Sequence, residues 1–368
     1  MINLKKLVSL FFQIIISGAK SPDSKRYFLK YMCVALEKST NEYISYNCRP
    51  KIADYVINKK IEKKSDKKCA IIMQGPILKE DNFTIEAAKF YKKMYPEECI
   101  IVSTWEDTEE DIVKKLKELD IEVVLNKAPE TTGLGNVNYQ VISARGGLKR
   151  ARELKCDYVL KTRTDQRISM PNFLSYFLGL LDTYPLERKS EKIENRLIIT
   201  SGIIGANMFI PYMLSDFLFF GTINDVDKVF DLEQDPLDTN RSEREELTNK
   251  LFDNASIEDF YEKTAPESRI IKTYIDKYTD IDADGSLKSY WDFIRDYTVI
   301  LSIRDMDLYW RRYNIYEESE ITKIYARDDD ESKNYRYIWT FANWSMLYSG
   351  RFIYNPELEL YKNQIMRR

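Results

Sequence analysis

Histidine is absent from all 368 residues, which removes Ser-His and Cys-His nucleophilic mechanisms and the commonest zinc ligand. Any general acid or base must therefore be Asp, Glu, Lys, Tyr or Cys. Glycine is sparse, 12 in all. No GxGxxG follows the first apolar strand and no P-loop sequence occurs anywhere, so neither a dinucleotide dehydrogenase nor a P-loop enzyme is favoured. A basic surplus is missing as well: 56 Lys and Arg face 59 Asp and Glu, net −3. That argues against nucleic acid as a partner. The five cysteines (Cys33, Cys48, Cys69, Cys99 and Cys156) lack metal-type spacing. Three of them open expected strands, where Cys behaves as a small buried hydrophobe, and a reducing cytoplasmic compartment fits. The N-terminal apolar run from Leu7 to Ile16, behind Lys5 and Lys6, is too short to span a bilayer. It reads as a helix docked on the protein itself, as an in-plane contact with the inner face of the cytoplasmic membrane, or as a signal or anchor without a convincing cleavage site.

What is present begins with length: 368 residues suffice for one large domain with elaborations, or for two. Residues 58 to 68, NKKIEKKSDKK, form a cationic linker and the clearest boundary. From Cys69 the pattern repeats. CAIIMQGPI is a continuous apolar run closed by Gln74, Gly75 and Pro76, as expected of a buried parallel strand and its turn. Thr84 is expected to cap a helix carrying Ile85, Ala88, Tyr91 and Met94 at helical spacing. CIIVSTWED reads as a second strand. Asp107 with Glu110 reads as the capping box of a helix that turns Ile112, Val113, Leu116 and Leu119 inward. IEVVLNKAPE is a third strand, followed by a helix from about 138 to 154 with Val141, Ala144, Leu148, Ala151 and Leu154 on one side. This alternation predicts right-handed crossovers and an α/β fold with an open, mainly parallel sheet flanked by helices. Residues 172 to 184 then read as a helix with Phe173, Leu174, Phe177 and Leu181, and RLIITSGIIG as a further strand. Residues 231 to 259 read as an acidic helical insertion opened by an exposed loop.

The most informative segment is YVLKTRTDQRI, residues 158 to 168. Its alternation puts Val159, Lys161, Arg163 and Asp165 on one face and Leu160, Thr162 and Thr164 on the other. Unpaired interior charges cost several kcal/mol each, on the order given for desolvation, so an anionic or ionic partner is expected there. Ligands of open α/β sheets collect at the C-terminal ends of strands, where Arg163 and Asp165 fall.

Nucleotide-sugar glycosyltransferases of the GT-A type are the largest group of α/β proteins that bind nucleotides without a glycine-rich loop, and they carry an Asp-containing motif after the fourth strand. The segments IIMQGPI, NVNYQVISARGGLKRA, DYVLKTRTDQRI and SDFLFFGTINDVDKVF, in that order, resemble the WavE-type family of lipopolysaccharide and capsular polysaccharide synthesis proteins over roughly residues 69 to 275. The resemblance implies a bacterial glycosyltransferase with a GT-A-like fold that moves a sugar from a nucleotide-sugar donor to a glycan or lipid-linked acceptor. It implies that Gln74, Gly75 and Pro76 lie under the nucleotide base and ribose. Trp105 would supply a stacking ring and Asp107 a ribose acceptor. Asn136, Asn138, Gln140 and Arg145 would contact the diphosphate from the helix after the third strand. Arg163 and Asp165 stand where the family has Arg-x-Asp, like a DxD motif whose first carboxylate has become a cation. A divalent cation, Mn or Mg, on Asp165 would then be held mostly by the nucleotide. Alternatively Lys161, Arg163 and Arg145 neutralise the diphosphate directly. The division implied is an N-terminal helical extension and basic linker (1–66), a nucleotide-sugar-binding α/β domain (67–275) and an aromatic-rich acceptor or packing region (276–368).

The acceptor base stays open between Asp216, set among apolar residues that would raise its pKa, and Glu267, which follows Pro266 at the start of a helix. Asp225 and Asp227 read as surface acids or a helix start. Each site residue also has a plain structural reading: an Arg163–Asp165 ion pair, a core Trp105, turn and cap asparagines beside Gly133 and Gly135, a simple turn at 74–76. The aromatics of the last third (WDFIRDY, YWRRYNIY, NYRYIW, FANW) suit sugar rings or an ordinary core. Two other functions share the pattern: a sugar-nucleotide modifying or nucleotidyl-transfer enzyme, and a non-catalytic assembly subunit.

Overall fold

A computed structural model describes residues 4–40, 43, 44, 46, 48–56, 66–187, 191–201, 208–236, 266–311 and 338–360. The chain forms two compact units, Met1–Pro50 and Lys51–Arg368. In the first, helix α1 (Leu4–Ser17) is followed by α2 (Pro22–Ser39). Ser21 caps α2, its Oγ accepting from the Ser24 amide at 3.1 Å with proline in the first turn, as helix starts favour. No helix among the described residues is long and apolar enough to cross a membrane.

The second unit is built on a seven-stranded sheet. Its strands are β1 (Cys69–Gln74), β2 (Cys99–Trp105), β3 (Glu122–Asn126), β4 (Tyr158–Arg163), β6 (Leu197–Thr200), β7 (Phe219–Thr222) and β8 (Thr298–Leu301), ordered β3-β2-β1-β4-β7-β6-β8. The first four run parallel as the alternation predicts. β7 enters antiparallel between β4 and β6, and β8 pairs parallel with β6. A separate ribbon pairs β5 (Gln166–Ile168) with β9 (Leu308–Trp310) directly beyond the charged end of β4. The helices are α3 (Phe83–Met94), α4 (Glu110–Glu118), α5 (Val137–Glu153), α6 (Phe173–Thr183), α7 (Ile223–Val229), α8 (Pro266–Tyr278), α9 (Leu287–Tyr297) and α10 (Phe341–Tyr348). β1 is buried along its whole length, as a strand covered on both faces must be.

Several local expectations are corrected. Thr84 is not a cap: α3 starts at Phe83 behind a left-handed Asn82. The buried Thr84 hydroxyl instead accepts from the Leu78 amide at 2.8 Å and donates to the Thr164 carbonyl at 2.9 Å, tying the β1 loop to the β4 loop. Asp107 and Glu110 form no capping box, because α4 starts at Glu110 and Asp107 lies exposed in the turn after β2. The boundary drawn after 275 runs through one body, since β8 completes the sheet. Four apolar residues behind an amphipathic helix carry too little periodicity to announce a strand. Most of the cationic linker (58–65 of 58–68) and most of the 231–259 insertion lie outside the described residues.

Asp225 is no surface acid. It is fully buried in the first turn of α7, where its carboxylate accepts from the amides of Glu194 and Asn195 at 3.0 and 2.9 Å and from Thr222 Oγ1 at 2.8 Å. Asp227 remains on the surface, paired with Arg152 at 2.9 Å. In the last third, Trp291, Trp339 and Trp344 are fully buried, so these rings build core.

Gly146 and Gly147 let α5 lie against the sheet. A Cβ at Gly147 would stand 2.4 Å from Ile72 Cγ2, and one at Gly146 2.0 Å from Asn126 Oδ1. Asn126 cannot yield, being buried with its amide bonded to Ser103 Oγ and the Thr104 carbonyl. Gly147→Ala should therefore destabilise by about 1–3 kcal/mol through overpacking, read as a lower urea midpoint at unchanged m-value.

Candidate active site

The alternation of β4 carries Lys161 and Arg163 to one face at the C-terminal half of the strand, and a turn at Thr164 and Asp165 follows. The turn is held from three directions. Thr164 N–H donates to the Gln74 carbonyl at 3.1 Å, its hydroxyl donates to the Pro76 carbonyl at 2.6 Å, and Arg311 N–H, just past β9, donates to the Asp165 carbonyl at 3.0 Å. Gly75 has φ +117° and sends its N–H to the Ser103 carbonyl at 3.0 Å, a backbone shape that favours glycine.

The anionic partner expected for the buried cations is supplied by the chain itself. Arg163 forks onto Asp165, Nε to Oδ1 at 3.0 Å and Nη2 to Oδ2 at 3.2 Å, while Nη1 reaches Asp216 Oδ2 at 3.3 Å. The rings of Phe217 and Trp310 lie 5.8 and 5.5 Å from the guanidinium carbon. Lys161 is wholly buried, donates to the Asp216 carbonyl, and sits over the faces of Phe219 and Phe230 at 5.7 and 5.6 Å. Burial pulls the Lys161 ammonium down to about 8 against the pull of Asp216. Burial also opposes the charge of Arg163, yet Asp216 and Asp165 outweigh it and hold the guanidinium protonated above its ordinary range.

Glu267 enters the same cluster from the first turn of α8. It is partly buried, and its carboxyl is pushed up to about 7, first by burial and then by the negative charge of Asp216, against the opposing pull of Arg163 and Lys161. Both residues weighed as the acceptor base thus lie within electrostatic reach of each other, in different settings. Asp216 is locked to Arg163, whereas Glu267 has an environment that poises it near neutrality.

The other expected site residues fall into three groups. Gln74 ends β1 in register with Arg163, buried, with an Oε1 that finds no partner among the described residues. Gly75 and Pro76 adjoin it. A rim forms at the start of α5. Trp105, at the end of β2, meets Tyr139 edge-on at 4.8 Å. Asn136 takes a left-handed conformation and makes no side-chain cap bond. Gly135 lies against Pro266, so close that a Cβ would come within 2.8 Å of the ring, which brings this rim to the start of α8. Asn138 is buried, donating to the Thr131 and Asp235 carbonyls at 3.0 and 2.8 Å and accepting from the Asp235 amide at 2.8 Å; its amide holds the loop. Gln140 is partly buried with its Oε1 unpaired among the described residues.

Arg145 is not brought to the cluster. Eight residues into α5, it lies about 12 Å down the helix from its start and pairs with Asp231 at 3.1 Å. Sequence reading missed Phe217 and Trp310, whose rings fix the guanidinium, and Arg269, which pairs with Asp235 beside the rim. The YWRR motif was the available signal for Trp310, but only the β5–β9 ribbon brings it to β4.

A divalent cation on Asp165 was the other expectation. Both oxygens of Asp165 and one of Asp216 are bonded to Arg163. Among the described residues no group of three or more His, Cys, Asp or Glu side chains could hold a metal. The donors present do not fit a divalent ion, which needs those same oxygens.

An open, mainly parallel sheet with a charged cluster outside the C-terminal ends of β1 and β4 defines an α/β protein, and that end of the strands is where ligands of open α/β sheets bind. Residues 69–368 match the family model described as WavE lipopolysaccharide synthesis, and the chain belongs to that family. The match runs past residue 275 through the aromatic last third. No curated protein matches. Among solved structures, a cytidylyltransferase from Leptospira borgpetersenii aligns at 12% identity and TM-score 0.30, over 78% of this chain and 100% of that one. Mouse xyloside xylosyltransferase 1 aligns at 10% identity and TM-score 0.30, over 57% and 81%. Mannose-1-phosphate geranyltransferase from Thermus thermophilus aligns at 9% identity and TM-score 0.29, over 73% and 81%. Likeness at this level carries no argument about activity.

Proposed function

We propose that this chain is a nucleotide-sugar-dependent glycosyltransferase that extends a surface glycan, with Glu267 as the base that activates the acceptor hydroxyl. The observation that carries the reading is the convergence of Arg163, Asp165, Asp216 and a Glu267 carboxyl poised at about 7 at the ligand end of a parallel sheet, in a lipopolysaccharide synthesis family. The unpaired Oε1 atoms of Gln74 and Gln140 support it, since buried acceptors without partners suit ligand hydroxyl or amide donors. In the step proposed, Glu267 takes the proton of the acceptor hydroxyl while that oxygen bonds the anomeric carbon. The bond from the anomeric carbon to the donor phosphate breaks, and its electron pair leaves with the phosphate oxygen. Arg163 stabilises that leaving charge.

Calorimetry with UDP, GDP and CMP nucleotides and their sugars tests the reading. Selective binding of one series is expected, with Gln74→Leu weakening it roughly 3- to 10-fold, the worth of one hydrogen bond. Turnover should release a nucleoside diphosphate or monophosphate. Release of inorganic diphosphate would instead assign nucleotidyl transfer. A folded sample that binds no nucleotide would remove the glycosyltransferase reading.

A further inference from the structure

Asp165 and Asp216 come from segments far apart in sequence, and Arg163 is what joins them. Both carboxylates are buried, and both are bonded through one guanidinium. A cation that bridges two carboxylates at the C-terminal end of a strand occupies the oxygen atoms that a hard divalent ion would use. The residue-by-residue charge supports the substitution. Around Asp165 and Asp216 the chain itself supplies two cations, Lys161 and Arg163, so these two carboxylates are balanced without an added ion, and the third carboxyl of the cluster, Glu267, is set where its charge is disfavoured. Lys161 is not available to a ligand, being wholly buried with its ammonium on the Asp216 carbonyl. Arg163 is. Its side chain keeps 20% exposure, and three of its five N–H donors are used on the two carboxylates, which leaves two.

Resting on the nucleotide-sugar reading, we propose that the Arg163 guanidinium takes the place of a divalent metal: it holds Asp165 and Asp216 together and turns its two remaining N–H donors to the phosphate of the donor. The planar fork of arginine suits phosphate oxygens. The rings of Phe217 and Trp310 fix its plane, so little rotamer freedom is lost on binding. Two consequences follow. Donor binding by the native chain is independent of divalent ions. Removing the guanidinium leaves two facing carboxylates, the oxygen chemistry that Mn and Mg ions select, and so opens a latent metal site.

The test uses the full chain and two readouts besides turnover. Electron paramagnetic resonance during a titration with Mn ions and no nucleotide should show no saturable site tighter than about 1 mM in the native protein. Calorimetry should give the same nucleotide Kd in EDTA as in Mn. Arg163→Ala should acquire saturable Mn binding and a melting temperature that rises with Mn, and in EDTA should bind nucleotide on the order of 10- to 100-fold more weakly, the loss of charge-assisted hydrogen bonds. Saturable Mn binding by the native chain, nucleotide binding that requires Mn, or a folded Arg163→Ala that takes up no Mn would each overturn the proposal. If Arg163→Ala does not fold, the two measurements on the native chain decide it. Failure of every nucleotide to bind, with and without Mn, would overturn the nucleotide-sugar reading, and is told apart because native Mn binding is measured without nucleotide.

Discussion

Glu267→Gln is expected to lower turnover roughly 10²- to 10⁴-fold, the range for loss of a positioned general base, while nucleotide affinity stays close to that of the native chain. The same variant should be more heat-stable above neutral pH. Both effects come from one cause. Burial, then Asp216, push the Glu267 carboxyl from 4.5 up to about 7, against Arg163, Lys161 and a backbone hydrogen bond. A carboxyl of raised pKa binds more protons in the folded than in the unfolded chain between those two values. Native stability from this group is therefore fully present below about 4.5 and is lost as pH rises through about 7. Glutamine keeps the shape without the charge, so its advantage appears above about pH 7 and amounts to a few degrees in melting temperature. Turnover runs the other way: the native kcat/KM should rise with pH through a midpoint near 7, and the Gln variant should lose that limb. A purely structural glutamate would not give up turnover while gaining stability. Retained turnover in the Gln variant would return the base to Asp216 or to neither residue.

Asp225→Ala should cost about 3–5 kcal/mol of stability, the range for removing one partner from a buried charged network, with no change in nucleotide affinity for the protein that stays folded. The carboxylate satisfies two backbone amides at 194 and 195, the Thr222 hydroxyl and, at 3.2 Å, the Lys228 ammonium. Alanine would leave all four without that acceptor, the Thr222 hydroxyl in a buried position and the other three partly shielded. Equilibrium unfolding in urea reads the loss. A cost under about 1 kcal/mol would mean that water replaces the carboxylate and that the site is looser than its geometry indicates. The contrast with Glu267 is physical. Asp225 ties together donors from three segments, so it holds structure; Glu267 is set where its charge is disfavoured, a state that stable folds keep mainly for function.

Much of the architecture was legible in the chain. Continuous apolar runs at Cys69 and Cys99 and helical spacing between them are local signals, and they led to β1 through β4 and their parallel order. β7 was not read, because its two phenylalanines are followed by Gly221 and Thr222 and the strand passes directly into α7, so the apolar run is too short to stand out. Helix starts were displaced for a similar reason. Thr84 has the right residue type for a cap, but its hydroxyl serves a contact with Thr164 in the turn after β4.

Sequence alone determined that an acid–base site here must use Asp, Glu, Lys, Tyr or Cys, since histidine is absent, and that the charges of Lys161, Arg163 and Asp165 share one strand end. It also carried the family resemblance. Only the tertiary structure decided what neutralises those charges. Asp216 arrives from the loop before β7, Trp310 from the ribbon beyond Asp165, and Glu267 from the start of α8. Burial, proximity and the poise of a proton are properties of that meeting, because a carboxylate's pKa is set by whatever the fold places around it and not by its neighbours in the chain.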